Sequence, residues 1–267
     1  MISFNHIGNL GRLGNQMFQY ASLRGIAKRR GYEFVVPPKE VFGNIDINVR
    51  GSDASIYDCF ELSELNFGIT KYPRLSESTF GLDENIYYNC PDNVDLVGYF
   101  QCEKYFDHIE DQIRKDFTFK EEIYKVSLEI FDQLFVDKDV ISLHIRRGDY
   151  LTNSNHPVQS LEYYQNALSY FDENIPVIIF SDDPQWCDQQ DIFQPDRFFI
   201  SEGGDTAVDL CLMSMCNYHI IANSSYSWWG SYLARSKKTV APSNWFGDEL
   251  KKTKDVGQLY RKDWIII

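Results

Sequence analysis

Residues Val140–Tyr150 read VISLHIRRGDY, and the fold follows from how this stretch is taken. As a β-strand, with a side-chain period of two, it puts Ser142, His144 and Arg146 on one face. Ile141, Leu143, Ile145 and Arg147 fall on the other. The run is apolar enough to enter a core, and it ends in two adjacent arginines followed by Gly148 and Asp149. In open α/β sheets ligands bind where strands end. A guanidinium donates in a fixed planar fork that suits phosphate. Two readings of the strand end stand side by side: a phosphate-type anion site, or a local ion-pair network of Arg146, Arg147 and Asp149.

Working outward, the C-terminal half alternates short apolar runs with helical patterns. Pro176–Phe180 (PVIIF) is a run of the kind used by buried parallel strands, and it ends in Ser181-Asp182-Asp183-Pro184. Arg197–Ser201 reads as a strand, and Thr206–Asn217 as a helix with Asp205 as its N-cap. His219–Ala222 reads as a strand running into Asn223-Ser224-Ser225 and a helix with Trp228 and Trp229. Thr239–Ala241 is the last strand in this reading. This predicts a parallel, Rossmann-like sheet with polar clusters 144–149, 181–183 and 222–225 on one edge. Ser224 and Ser225 put hydroxyls and N–H groups at a helix start, a natural anion site, although simple capping explains them equally well alone. Asp182 and Asp183 fit nucleotide reading, metal ligation or turn formation. Asp209, one turn into its helix, suits the macrodipole with or without a ligand.

The N-terminal half opens with a strand over Met1–Ile7, a turn with glycines at 8, 11 and 14, a helix ending at Gly31, and a strand over Tyr32–Val36. The glycine spacing is not the dinucleotide fingerprint. Gly14, Asn15 and Gln16 are candidates for contact with a ligand in a cleft, against the alternative of a tight connection with none. Asp95–Phe100 resembles a strand. Glu103–Phe117 and Glu121–Phe135 carry helical periodicity. The charged run Asp137-Lys138-Asp139 places the boundary between a 1–138 domain and a 139–267 domain. It also resembles the D-x-D of metal-dependent nucleotide-sugar transferases, but it precedes a strand, whereas a ligand-holding triad belongs after one. Trp228, Trp229 and Trp245 are expected to be mainly core.

Composition narrows the function classes. The chain has 267 residues, 43% of them hydrophobic, with 26 basic against 39 acidic side chains and a net charge of −13. That charge argues against a nucleic-acid partner and makes any phosphate site depend on locally concentrated arginine. No window approaches the about 20 continuous apolar residues of a membrane span. The start, MISFNHIGNLG, lacks the pattern of a signal peptide, so a cytoplasmic location is expected. The six cysteines form no C-x-x-C or zinc spacing and are expected to be reduced core thiols.

Together the blocks GRLGNQMFQYA (11–21), HIRRGDY (144–150), FSDDPQW (180–186), DLCLMSMCNYHIIANSSYSWWGSYLA (209–234) and APSNWF (241–246) resemble the bacterial α-1,2-fucosyltransferases of glycosyltransferase family 11. The resemblance implies an α/β fold of two Rossmann-like domains, GT-B-like, with the donor cleft between them and the acceptor on the N-terminal side. It implies inverting, metal-independent transfer of L-fucose from GDP-β-L-fucose to the 2-hydroxyl of a terminal galactose, in surface polysaccharide or O-antigen synthesis. The donor is a substrate, and no cofactor is implied. Carried over by position, His144, Arg146, Asp182, Asp183, Asp209, Asn223, Ser224 and Ser225 would face the donor, and Arg146 would stabilise the leaving diphosphate. Gly14, Asn15 and Gln16 would belong to the acceptor side or cleft. From the strand alternation, Arg147 and Asp149 are expected to be structural residues near the site, with Arg147 a partner of nearby acids, Asp149 among them. Asp149 and Glu202 are two of many candidates for a base, and none is singled out. The partners would be GDP-fucose and a galactose-terminated oligosaccharide; the location at the inner membrane face leaves peripheral association open. Rival readings are a fucosyltransferase fold of other linkage, a metal-dependent transferase, and a non-catalytic nucleotide- or glycan-binding module.

Overall fold

A computed structural model describes residues 1–41, 54–202 and 204–267. Part of the region 39–100, the least legible in sequence, lies outside them. The chain divides into two units, Met1–Lys120 with Lys254–Leu259, and Glu121–Thr253 with Tyr260–Ile267.

The first unit contains β1 (Ile2–Ser3), α1 (Leu13–Arg30), β2 (Phe34–Val35), α2 (Ile56–Cys59), β3 (Arg74–Ser76), α3 (Glu84–Asn89), β4 (Asp95–Val97) and α4 (Glu110–Asp116). Its sheet runs β2-β1-β4-β3 with every pair parallel. The first strand is much shorter than Met1–Ile7, because the backbone turns immediately afterwards: Ile7 N–H bonds back to Phe4 O. Helix α1 ends at Gly31, as expected. It is buried on nearly every side, so its polar residues need internal partners. Arg24 and Asp116 are both buried and form an ion pair at 3.0 Å. Asp116 also accepts from Tyr20 Oη at 2.9 Å, Ser63 Oγ at 2.7 Å and Gln112 Nε2 at 3.0 Å. A buried carboxylate supplied with this many donors is tolerated; stripped of them it would be costly.

The expected single helix over Glu103–Phe117 is not formed. Two 3₁₀ turns, Glu103–Tyr105 and Asp107–Ile109, precede α4, and Phe106 and Ile109 leave helical geometry. The cause is tertiary. This segment crosses α1 at Gly25, where a Cβ would overlap the carbonyl oxygen of Tyr105. Tyr105 Oη, in turn, accepts the Asp83 N–H at 2.6 Å. A continuous helix could not hold both contacts.

The second unit contains α5 (Glu121–Phe135), β5 (Ile141–Ile145), α6 (Leu161–Leu168), β6 (Val177–Ser181), α7 (Pro184–Asp188), β7 (Phe198–Ile200), α8 (Thr206–Met215), β8 (Tyr218–Ile220), α9 (Ser225–Ala234), β9 (Lys238–Ala241), α10 (Asp248–Lys251) and β10 (Ile265–Ile266). The division falls at residue 120, ahead of the expected boundary at 138, because α5 packs on α8 and so belongs to this unit. Strands β3 and β10 escape a sequence reading, since two or three residues are too few to show alternation.

The second sheet is parallel throughout, in the order β10-β9-β8-β5-β6-β7. The chain thus steps from β5 to β6 and β7 on one side, then returns to start β8 on the other. The reversal lies between β5 and β8, a topological switch point. Ile141, Leu143 and Ile145 pack with Tyr163, Tyr164 and Ala167 of α6 in the core. The six cysteines are free and buried, and Trp228, Trp229 and Trp245 are core residues, as expected. Among the described residues, no helix is long and apolar enough to cross a membrane.

Gly25→Ala is expected to cost about 1–3 kcal/mol by forcing α1 and the 103–106 segment apart, read as a lower urea midpoint for the first unit. An unchanged midpoint would show that the close approach is not required.

Candidate active site

All three expected clusters lie on the carboxyl edge of the second sheet, and two of them flank its switch point. The HIRRGD segment leaves β5, and Asn223-Ser224-Ser225 leads from β8 into α9. Side chains tie these two exits together. Tyr150 Oη donates to Asn223 O at 3.0 Å, and His144 Nδ1 lies 2.9 Å from Ser227 Oγ.

The Ser227 hydroxyl lies between His144 Nδ1 at 2.9 Å and Ser224 O at 3.3 Å, and the direction of the His144 bond follows the imidazole tautomer. Burial, with Arg146 nearby as a second cause, pushes the His144 pKa down to about 3. His144 is therefore a neutral imidazole at physiological pH, unsuited to taking up a second proton.

The two arginines take different partners, as the alternation predicts. Arg146 Nη1 lies 2.9 Å from Asp182 Oδ2, and its Nη2 pairs with Asp149. Arg147 Nε lies 3.0 Å from Asp183 Oδ2, and its guanidinium sits 3.9 Å above the Trp186 ring. Trp186 packs on the same apolar cluster as Ile145. Arg147 thus pairs with a nearby acid, as expected, but the acid is Asp183 and not Asp149, which belongs to Arg146. The physical reason is the turn Gly148–Thr152, which brings Asp149 back three residues. At Gly148 a Cβ would overlap the Asp182 carboxylate, so a side chain here would displace that carboxylate from its present position. Asp182 also accepts the Arg147 N–H at 2.8 Å.

The other candidates separate into scaffold and surface. Asp183 caps α7 by accepting the Trp186 N–H at 3.2 Å, so it is accounted for without a ligand. Asn223 is buried, and its Nδ2 donates to Pro157 O and Trp245 O, both at 3.0 Å. It joins the loops beneath the switch point. Ser224 caps α9, accepting from Tyr226 N–H, and Ser225 is the first helical residue. Asp209 lies in the first turn of α8. The starts of α8 and α9 are joined by Tyr226 Oη, which donates to Thr206 O at 2.6 Å. Asp209 accepts from Ser201 Oγ at 2.6 Å, and burial raises its pKa to about 6 against that hydrogen bond. Asp205 caps α8, as expected. Asp139, of the D-x-D run, pairs with Lys237 at 2.8 Å and accepts from Tyr218 Oη at 2.9 Å.

Gly14, Asn15 and Gln16 belong to the first unit. Gln16 is fully buried, and its Oε1 accepts the Ile56 N–H at 3.1 Å, so it braces α2. Asn15 Oδ1 accepts from Gln101 Nε2 at 2.6 Å. Sequence reading missed Ser227 and Tyr150, whose roles depend on cross-strand proximity. The only trace was their place inside the polar blocks.

The family model for glycosyl transferase family 11 matches residues 1–267. The chain belongs to that family. It is 32% identical to an alpha-1,2-colitosyltransferase of Escherichia coli, covering 90% of this chain and 91% of that protein. It is 31% identical to the O-antigen biosynthesis glycosyltransferase WbnK of Escherichia coli, covering 90% and 94%. Galactoside alpha-(1,2)-fucosyltransferase 2 of Pongo pygmaeus is 26% identical over 85% of this chain and 68% of its own. Similar solved folds include fucosyltransferase NodZ from Bradyrhizobium, with TM-score 0.54, 15% identity and coverage of 86% and 91%. POFUT1 in complex with GDP follows, with TM-score 0.56, 13% identity and coverage of 90% and 97%. The family 11 protein described here is therefore a glycosyltransferase with an α/β fold of parallel sheets.

The raised pKa of Asp209 has a signed consequence for stability. The folded chain keeps a proton that the unfolded chain releases from about pH 4, so this group's contribution falls as pH rises through about 6. Asp209→Asn is expected to gain on the wild type between about pH 4 and pH 6 in urea midpoints. A difference that stays constant across that range would contradict the buried, protonatable carboxylate.

Proposed function

We propose that this family 11 protein transfers L-fucose from GDP-β-L-fucose to the 2-hydroxyl of a terminal galactose, with inversion at the anomeric carbon and no metal requirement. The observation that carries the reading is that the β5 exit bearing Arg146 and the start of α9 flank one switch point and are joined by the His144–Ser227 and Tyr150–Asn223 contacts. In the reaction the bond between C1 and the phosphate oxygen breaks, and its electron pair stays on GDP. Arginine and helix-end N–H groups are suited to neutralise that charge as it develops. In this reading Arg146 exchanges the carboxylates of Asp149 and Asp182 for the diphosphate. The Asp209 carboxylate accepts from the adjacent N–H donors of guanine, and His144 Nε2 forms a hydrogen bond with the nucleotide sugar. Ser224 and Ser225 contribute hydroxyl and N–H contacts to phosphate oxygens. The division of labour is GT-B-like: the second unit holds the donor, and the first reads the acceptor. NodZ soaked with GDP-fucose shares the fold, and the WbnK relative, named for O-antigen biosynthesis, favours a surface-polysaccharide acceptor.

A second reading concerns the donor sugar, because a colitosyltransferase is among the more similar relatives. Colitose is L-fucose without its 3-hydroxyl. A pocket that hydrogen-bonds this hydroxyl would reject the deoxy sugar strongly, whereas an apolar pocket would discriminate only about 10–100-fold. Incubation of the protein with GDP-fucose or GDP-colitose and galactose-terminated acceptors, followed by linkage analysis, tests both readings. An α-1,2-fucosylated product formed equally well in EDTA is expected. Absence of transfer and of donor hydrolysis with GDP-fucose would sink the fucosyl reading.

Arg146→Ala is expected to lower kcat by about 10²–10³-fold, the range for loss of one charge-stabilising donor. Arg147→Ala is expected to act through a lowered melting temperature, through the loss of the Asp183 pair and the Trp186 contact. Equal kcat losses with unchanged melting in both variants would contradict this division.

A further inference from the structure

The exit of β4, Gly98-Tyr99-Phe100-Gln101, is held by side chains from several other elements. Its backbone is unusual: Gly98 has φ 159° and Phe100 φ 52°, a left-handed geometry disfavoured for a bulky residue. Side chains from other elements fix it. Gln19 of α1 donates to Gly98 O at 3.1 Å, and Ser22 donates to Phe100 O at 3.2 Å. Glu77, just after β3, accepts the N–H groups of Tyr99 and Phe100 through one oxygen, at 3.0 and 3.1 Å. Gln101 is clamped to Asn15, and the Phe100 ring is buried against Phe4 and Tyr105.

All this order presents one side chain outward. Tyr99 is 45% exposed. Its ring packs on no other ring among the described residues, in contrast to Phe100 beside it. The loop leaves the carboxyl end of β4 next to β1, and β1 connects through α1 to β2 on the opposite side. It therefore lies at the carboxyl end of a parallel sheet, the end outside which such sheets take ligands. Strain is retained where the surrounding structure over-determines it, and here it fixes the position of an aromatic face.

We propose that Tyr99 is the stacking platform for a pyranose ring of the acceptor glycan, and that Glu77 is the positioning residue that holds it there. The inference rests on the transferase reading for the identity of the glycan. A sugar ring offers an apolar C–H face to an aromatic ring, and the Gln101–Asn15 amides two residues further on suit its hydroxyls. Glu77 is not itself assigned a proton-transfer role. One of its oxygens is taken by two N–H groups and the other is buried.

The test uses the full-length chain, with galactosyl oligosaccharides as the probe. Saturation-transfer NMR is expected to show contact at pyranose C–H protons in the wild type and its loss in Tyr99→Ala, with GDP affinity unchanged within about twofold. Where transfer is measurable, Tyr99→Ala is expected to raise the acceptor KM about tenfold, and Tyr99→Trp to preserve it. Glu77→Ala should raise the acceptor KM in the same way, while Glu77→Gln, which keeps an acceptor oxygen for the two N–H groups, restores it. Equal saturation transfer in wild type and Tyr99→Ala, or none in the wild type, would overturn the platform. A wild type that binds saccharide through Tyr99 yet turns over no nucleotide sugar would instead sink the transferase reading alone.

Discussion

The second unit depends on one topological constraint, the reversal of strand order between β5 and β8. Right-handed crossovers that leave β5 in one direction and re-enter at β8 from the other leave a stretch of sheet edge that no crossover helix covers. Every other feature of the candidate site is fixed relative to that gap. His144 reaches Ser227 across it, Tyr150 reaches the Asn223 carbonyl, and Asn223 anchors the loops below. The same residues on a sheet without a reversal would be separate strand-end caps.

The electrostatics resolve the tension between a strongly acidic chain and an anionic ligand. Arg146 and Arg147 are each held by carboxylates, but in different ways. Arg147 is tied into structure by a helix-capping aspartate and a tryptophan face. Arg146 rests at the β5 exit between two acids, Asp182 from the β6 exit and the half-exposed Asp149. Such pairing orients a guanidinium at modest energetic cost and leaves it exchangeable, because surface-proximal ion pairs are weak in water. The ion-pair reading and the anion-site reading of the RRGD turn are thus compatible: the first prepares the arginine, and the second is the use proposed for it.

In the first unit the organising element is α1, which is buried so fully that its polar side chains act as internal braces. Arg24 with Asp116, Gln19 with the β4 exit, and Ser22 with Phe100 all join α1 to segments remote in sequence. This explains why helical periodicity misled over 103–117. The apolar spacing was present, but the close approach at Gly25 imposed a broken path. Local propensity is a weak prior wherever a segment must satisfy a neighbour's geometry.

The sequence by itself determined the class of fold and the faces of its key strand. Parallel strands buried on both sides require continuous apolar runs, and a period of two dictates which arginine shares a face with His144. It also marked Gly31 and Asp205 as helix ends, since caps are set by local chemistry. Only the tertiary structure decided which carboxylate each arginine holds, that Asp183 and Asn223 are scaffold, that Gln16 is interior, and that α5 belongs to the second unit. Those outcomes follow from distances between residues tens of positions apart, and no local periodicity encodes such distances. Glu77 is the clearest case. In sequence it is an isolated acid between two serines, and its role exists only because the β4 exit turns its amides toward it.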